Sequence, residues 1–268
     1  MSNFDVVLNR KKINYRVDNK PSFLSMKIAV CVHLYHIDML DSIMSYLSNI
    51  DQSYDLYFGL INKPYEQSFL NKLEKSHKNT KIFFVENIGM DIGGFLQVYK
   101  QIDKSYDLIL KIHTKKGIGS PESPSIQAKR QGVDSALQKG LSWYNSLMNG
   151  VLRDKNKVRE IIDEFKKNQD CGMVGYKVYN NFKVNENHMR NILNIWGINM
   201  NLNDVFFIGG TIFWVDNNIL RKYFTDDKID QLLKLLPQGY VSEPSNNHAM
   251  ERVFGYFVKQ ENKKVYVK

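Results

Sequence analysis

The chain has 268 residues, of which 43% are hydrophobic and 24% are charged, a composition typical of a soluble globular protein. Its net charge of +9 favours an anionic partner, such as a polyanion, a phosphorylated ligand or an anionic membrane surface. The sequence lacks the run of roughly 20 apolar residues that a transmembrane helix needs, and its first residues lack the apolar core of a signal peptide.

The first half of the chain alternates predicted strands with predicted helices. Continuous apolar, β-branched runs predict buried strands, and apolar residues three or four positions apart predict helices. In chain order these are a strand at 27–36, a helix at 38–50 with Asp38 as a candidate N-cap, a strand at 54–62, a helix at 66–77, a strand at 81–86, a glycine-rich turn entering a helix, and a fourth strand centred on 108–110. The alternation predicts an α/β fold with a mostly parallel sheet flanked by helices.

The second half is less regular and contains no repeats or low-complexity linkers, so a single domain is expected. Its predicted elements are helices at 125–152 and 154–169, a short strand from Cys171, a strand or hairpin at 204–216 centred on Gly209 and Gly210, two helices within 217–236, and a final helix at 244–260. Cys31 and Cys171 lie in apolar segments without a CxxC partner, which predicts reduced core thiols in a cytosolic protein.

The segment ENIGMDIGGF, residues 86–95, combines glycines with an acid at a strand-to-helix junction. Glycines 89, 93 and 94 would let a ligand approach the backbone closely. Asp91 would hydrogen-bond a ribose or base, or else cap the helix. The spacing matches neither GxGxxG nor a P-loop.

The segment KIHTKK, residues 111–116, follows a buried strand, and ligands bind beyond the carboxyl ends of strands in open α/β sheets. Lysine and histidine side chains gathered at this place suggest that the protein binds an anionic ligand there. Lys115 or Lys116 would neutralise the charge of a diphosphate leaving group, whereas the imidazole of His113 could bind a metal. The alternative to a functional site is that the lysines are solvated and the histidine has only a structural role.

Two later segments carry further candidates. Gly209 and Gly210 in FIGGTIFWVD would allow a ligand close to the backbone, or mark a bulge in a core strand. In EPSNNHAMERVFGY, His248 and Glu251 share a helix face, and Glu243 lies just before it. The carboxylates would be general bases, or ordinary ion-pair partners of neighbouring arginine. No nucleic-acid-binding signature is present, and the basic residues are scattered.

Together, ENIGMDIGGFL, YDLILKIHTKK, FIGGTIFWV and NHAMERVFGY resemble, in this order and over roughly residues 26–260, the rhamnan synthesis protein F family. These are bacterial glycosyltransferases or glycosyltransferase-like domains of cell-surface polysaccharide assembly. Residues 1–25 are polar and basic and are expected to form an extension. The resemblance implies a GT-A-like, Rossmann-like domain at 26–268, with a nucleotide-sugar half at 26–120 and an acceptor half at 121–268. The chain departs from the family at Met90, where a basic residue is usual, and at Asn246-Asn247, where Asp-Gly is common.

The resemblance implies transfer of rhamnose, or of a hexose or galactofuranose, from a UDP- or dTDP-sugar to a lipid-linked acceptor of O-antigen, capsule or rhamnan. It implies a cytoplasmic protein with peripheral contact at the inner face of the cell membrane, through Arg10, Lys11 and Lys12, and no nucleic-acid partner. Many GT-A-like enzymes hold a divalent metal with an Asp-x-Asp motif, whose place is taken here by residues 111–115. The alternative is therefore a non-catalytic glycan-binding or scaffold module.

No cofactor is favoured, and lysine charge is expected to replace the metal wholly or partly. If Mn²⁺ or Mg²⁺ binds, its candidate ligands are His113, Asp91 and His248. The predicted donor-binding residues are Asn87, Gly89, Asp91, Gly93, Gly94, His113, Lys115, Lys116, Gly209, Gly210 and Thr211. The predicted catalytic residues are Glu243, Glu251 and His248, one glutamate being the base of an inverting reaction and His248 assisting at the phosphate.

Overall fold

The computed structural model of the chain describes residues 6–8, 25–116 and 133–267. The predicted membrane contact at 10–12 and the start of the helix predicted at 125–152 lie outside the described residues. No helix in the described part of the chain is long and apolar enough to span a bilayer.

The described strands and helices largely follow the predicted order. The strands are β1 (Val6–Leu8), β2 (Ile28–His33), β3 (Tyr54–Ile61), β4 (Thr80–Val85), β5 (Leu108–His113), β6 (Cys171–Gly175), β7 (Val178–Tyr179), β8 (Phe207–Ile208), β9 (Phe213–Asp216) and β10 (Lys264–Val267). The α-helices are α1 (Leu40–Leu47), α2 (Gln67–Glu74), α3 (Met90–Gln101), α4 (Val133–Leu152), α5 (Lys155–Lys167), α6 (Glu186–Leu193), α7 (Asn217–Tyr223), α8 (Asp226–Leu235) and α9 (Asn246–Gln260).

The central sheet confirms the predicted α/β, Rossmann-like fold with a mostly parallel sheet flanked by helices. Its strand order is β1-β10-β6-β9-β5-β2-β3-β4, and every neighbouring pair is parallel except the two pairs that involve β9. Because β9 runs against its neighbours, it begins at Phe213 beside Lys111 near the end of β5 and Gly175 at the end of β6. The turn before β9 therefore lies at the edge where the parallel strands end.

Both faces of the sheet are buried, which explains the continuous apolar runs in its strands. Along β2, Ala29 and Cys31 pack on the side covered by α3 and α9, whereas Val30 and Val32 pack on the side covered by α1, α4 and α5. Cys31 and Cys171 are buried and are not joined in a disulfide, as predicted for reduced core thiols.

Three local predictions are wrong. The segment 204–216 is not a hairpin, because β8 pairs with β7 in a separate two-stranded sheet while β9 joins the central sheet. Asp38 does not cap α1, since its carboxylate pairs with Lys116 instead. Asp91 does not cap α3, since Gly89 occupies the N-cap position in a left-handed conformation.

Two strands were not predicted. β10 follows the final helix and pairs with β6. β1 pairs with β10, so residues 6–8 of the expected basic extension belong to the central sheet.

Candidate functional site

A cavity of about 290 Å³ opens at the edge of the sheet where the parallel strands end. Four of the segments singled out in the sequence contribute to its wall: the turn into α3, the end of β5, the turn before β9, and α9. The predicted residues that line it are Gly89, Asp91, His113, Lys115, Gly209, Gly210, Thr211, His248 and Glu251. Its wall also contains Met90, Ile92, Trp143, Tyr179, Asn181, Phe207, Asn247 and Arg252, which were not predicted as site residues.

The other predicted site residues lie behind the cavity wall or outside it. A Cβ at Gly93 would collide with the carbonyl oxygen of Ile88, and one at Gly94 with the ring of His33, so both glycines allow α3 to pack closely. The carbonyl oxygen of Asn87 accepts a hydrogen bond from the amide of Gly239.

Lys116 and Glu243 also lie apart from the cavity wall. The ammonium of Lys116 pairs with Asp38. Glu243 accepts hydrogen bonds from Arg252 and from Asn185.

A buried ion pair lies at the centre of the site. Lys111 is fully buried, and its ammonium donates to Asp91 Oδ2 at 2.6 Å and to the carbonyl and hydroxyl oxygens of Thr211 at 2.9 and 3.0 Å. The hydroxyl of Thr211 donates in turn to Asp91 Oδ2 at 2.5 Å. All three ammonium protons are thereby used, which is what a buried lysine requires.

The charges in this cluster shift the pKa values of its members. Burial alone would raise the pKa of Asp91, but the positive charges of His113 and Lys111 and the hydrogen bonds from Lys111 and Thr211 hold it well below its usual value. Burial lowers the pKa of Lys111, and the Asp91 carboxylate opposes that shift. Burial also lowers the pKa of His113, and the Asp91 carboxylate opposes that shift.

His113 is held by the backbone on both sides of its ring. Nε2 lies 2.8 Å from the carbonyl oxygen of Gly210, and Nδ1 lies 3.1 Å from that of Thr114. Among the described residues, no three carboxylate, imidazole or thiol side chains gather as a ligand group. With Lys111 also beside Asp91, the three candidate ligands Asp91, His113 and His248 do not form a metal site as they stand.

The turn before β9 is strained. Gly210 has φ 78° and Thr211 has φ 51°, a value that β-branched residues rarely adopt. The hydrogen bonds of Thr211 to Asp91 and Lys111 keep it in this conformation. The turn directs the amide of Gly210 towards Glu251 and its carbonyl towards His113. Such strain persists only where the surroundings enforce it, and it concentrates at functional sites.

Arg252 organises the acidic side of the cavity. It is 3% exposed and donates to Glu251 Oε2 at 3.0 Å, to Glu243 Oε1 at 2.6 Å and to the carbonyl oxygen of His248 at 2.6 Å. Its guanidinium also lies over the ring of Phe207. Glu251 Oε1 accepts from the amide of Gly210 at 2.6 Å, and burial raises the pKa of this carboxyl.

Two further polar residues of the wall are Lys115 and His248. Lys115 is half-buried, and within the described ranges no carboxylate forms an ion pair with it. Its charge acts on His113, His248 and Glu251. His248 Nδ1 lies 2.8 Å from the hydroxyl of Ser245, and burial lowers the pKa of its ring.

The buried ion pair predicts a strong coupling between its two members. Lys111→Met should lower the free energy of unfolding by about 3–5 kcal/mol, because it leaves the Asp91 carboxylate buried without its partner. In urea unfolding, the double variant Asp91→Asn/Lys111→Met should lose less free energy of unfolding than the summed losses of the two single variants. Strict additivity, or a Lys111→Met variant as stable as the wild type, would contradict the pairing.

Comparison with known proteins identifies the family of the chain. A family model described as "Rhamnan synthesis protein F" matches residues 1–263. No curated protein matches the chain. Since the model covers nearly the whole sequence, the chain belongs to the rhamnan synthesis protein F family, which confirms the resemblance and implies a part in rhamnan polysaccharide synthesis.

Proposed function

We propose that this member of the rhamnan synthesis protein F family is a glycosyltransferase that moves a sugar from a nucleotide diphosphate donor to a bacterial cell-surface polysaccharide. The supporting observation is the cavity at the carboxyl edge of a GT-A-like sheet, where four motifs distant in sequence converge. Ligands of open α/β sheets bind at this edge. From family membership we further propose a UDP- or dTDP-activated rhamnose or hexose, a lipid-linked acceptor, and a location at the cytoplasmic face of the membrane.

Lys115 is the proposed partner of the donor's diphosphate. The charge of Lys111 is offset by Asp91, and that of Arg252 by Glu243 and Glu251. Lys115 lines the cavity without such an offset among the described residues. A preorganised cation in a water-poor site stabilises negative charge on a leaving group, with one donor typically worth roughly 2.7–4 kcal/mol.

The other donor contacts would come from the backbone turns and Asp91. Asp91 and Gly89 would border the nucleoside or the sugar, and the turn at 209–211 would border the sugar. In this proposal lysine charge replaces a divalent metal at the diphosphate wholly or partly, and a metal, if bound, would supply Lewis-acid stabilisation of the leaving group.

Glu251 is the proposed base for the acceptor hydroxyl in an inverting reaction. It lines the cavity, and its pKa is raised by burial, which strengthens the carboxylate as a proton acceptor. Each of its oxygens already accepts one hydrogen bond, and a carboxylate has capacity for about four. Glu243 lies outside the cavity wall and is a less suitable base.

Nucleotide binding tests the proposal. The thermal unfolding of the protein is measured with nucleotides and nucleotide sugars of the UDP, dTDP, GDP and CMP series. A compound that binds, present at ~100 times its Kd, should raise the free energy of unfolding by about 2.7 kcal/mol. Lys115→Ala should weaken this binding roughly 10- to 100-fold, the value of a charge-assisted hydrogen bond. The matched control Lys116→Ala should bind like the wild type, since Lys116 pairs with Asp38 outside the cavity.

The same measurements are made in EDTA and again with Mn²⁺. If a nucleotide raises the unfolding temperature in EDTA, the result supports the proposal that lysine charge replaces the metal. If a nucleotide raises the unfolding temperature only with Mn²⁺, the protein remains a candidate glycosyltransferase but lysine does not replace the metal. No shift with any nucleotide would contradict the proposal and favour a non-catalytic glycan-binding module.

The base is tested by turnover. Glu251→Gln should lower the rate of sugar transfer, or of donor hydrolysis, by at least about 10²-fold while the nucleotide Kd is kept, because general bases contribute about 10²- to 10⁴-fold. Glu243→Gln is the matched control, and its rate of transfer or hydrolysis should fall much less than that of Glu251→Gln. Equal losses in both variants would reject Glu251 as the base.

A further inference from the structure

Asn247 is the second residue of α9, and its side-chain amide is buried. The residue is 3% exposed and lines the cavity. Among the described residues, neither its Nδ2 nor its Oδ1 has a hydrogen-bond partner. A buried donor and a buried acceptor left unpaired in one side chain are rare in native structures and indicate a bound water, ion or ligand.

The neighbouring polar groups do not relieve this amide, since they are engaged with one another. His248 bonds to Ser245, Glu251 to Gly210, and Arg252 to the two glutamates. The preceding Asn246 gives a direct contrast. Its Oδ1 lies 2.7 Å from His188 Nδ1, and its Nδ2 donates to the carbonyl oxygen of Leu235 at 2.6 Å.

We propose that Asn247 is a specificity-determining residue that binds the sugar of the donor through two neighbouring hydroxyl groups. Its Nδ2 donates to one hydroxyl oxygen, and its Oδ1 accepts from the other. Hydroxyl groups both donate and accept, so a pair of them gives Nδ2 an acceptor and Oδ1 a donor. A phosphate oxygen at neutral pH mainly accepts and would leave Oδ1 unpaired. This inference rests on the proposed glycosyltransferase function.

The position of Asn247 favours the sugar over the nucleobase. Glu251 lies one helical turn further along α9, so the amide shares a helix face with the proposed base and lies near the reacting end of the site. Tyr179, which is partly exposed, also lines the cavity, and an aromatic ring suits the C–H face of a sugar ring.

The test compares each of two nucleotide sugars, UDP-glucose and dTDP-rhamnose, with its parent nucleoside diphosphate by titration calorimetry. Asn247→Leu should leave the Kd of the parent UDP or dTDP unchanged and weaken that of the nucleotide sugar about 10-fold, the loss of one to two neutral hydrogen bonds. Its midpoint of thermal unfolding should stay the same or rise, because an apolar side chain of similar shape removes two unpaired polar atoms. Asn247→Ala, which adds no bulk, should show the same loss of affinity.

Asn246→Leu is the matched control. It breaks two hydrogen bonds outside the cavity wall, so it should unfold at a lower temperature and bind both ligands like the wild type. Asn247→Leu is therefore expected to lower the affinity for the nucleotide sugar without lowering stability. Asn246→Leu is expected to lower stability without lowering that affinity.

Four results would overturn the inference. A wild type that binds none of these compounds would overturn the proposed function together with the inference. A wild type that binds the nucleotide sugar, matched by both Asn247 variants, would overturn the inference alone. Equal weakening of nucleoside diphosphate and nucleotide sugar would assign the amide to the base or the phosphates. A marked loss of stability with unchanged sugar affinity would assign it to a buried water and a structural role.

Discussion

The ion pair between Asp91 and Lys111 is the interaction on which the rest of the site depends. Lys111 comes from β5, Asp91 from the first turn of α3, and the shared partner Thr211 from the turn before β9. The fixed turn presents the backbone of Gly210 to His113 and Glu251. A single buried ammonium therefore connects three elements that meet only because the sheet brings their ends to one edge.

The pairing of charges also determines what the cavity offers to a ligand. Lys111 and Arg252 are offset by carboxylates and act mainly as supports for the wall. Lys115 lines the cavity with no carboxylate paired to it among the described residues, and Glu251 is held there with a raised pKa. In the part of the chain that the structure describes, the site thus combines the ammonium of Lys115, the carboxylate of Glu251 and the unpaired amide of Asn247, a set suited to a ligand with phosphate and hydroxyl groups.

The sequence predicts much of the fold because strands buried on both faces give continuous apolar runs between amphipathic helices. It also brings together most of the site, since residues that follow parallel strands meet at one edge of the sheet. It does not predict the direction of β9, which depends on pairing with distant strands. The sequence also does not show that Lys111, within the apolar strand β5, is buried against Thr211. A lysine in such an apolar run does indicate that a buried carboxylate or carbonyl oxygen binds its ammonium group.

The aromatic part of the wall is missed for a related reason. Trp143 lies on α4 and Tyr179 and Phe207 on the small sheet, and nothing local distinguishes them from core residues. Gly93 and Gly94 illustrate the opposite error, since glycines that allow a helix to approach a sheet have the same sequence pattern as glycines that admit a ligand.

A crystal structure with a bound nucleotide sugar would test the central claim most directly. The account predicts a donor in the cavity at the carboxyl edge, with its diphosphate beside Lys115 and its sugar between Gly210 and Asn247. A donor bound instead at the amino edge of the sheet, in the separate cavity lined by Tyr54, Asp55 and Tyr106, would contradict it.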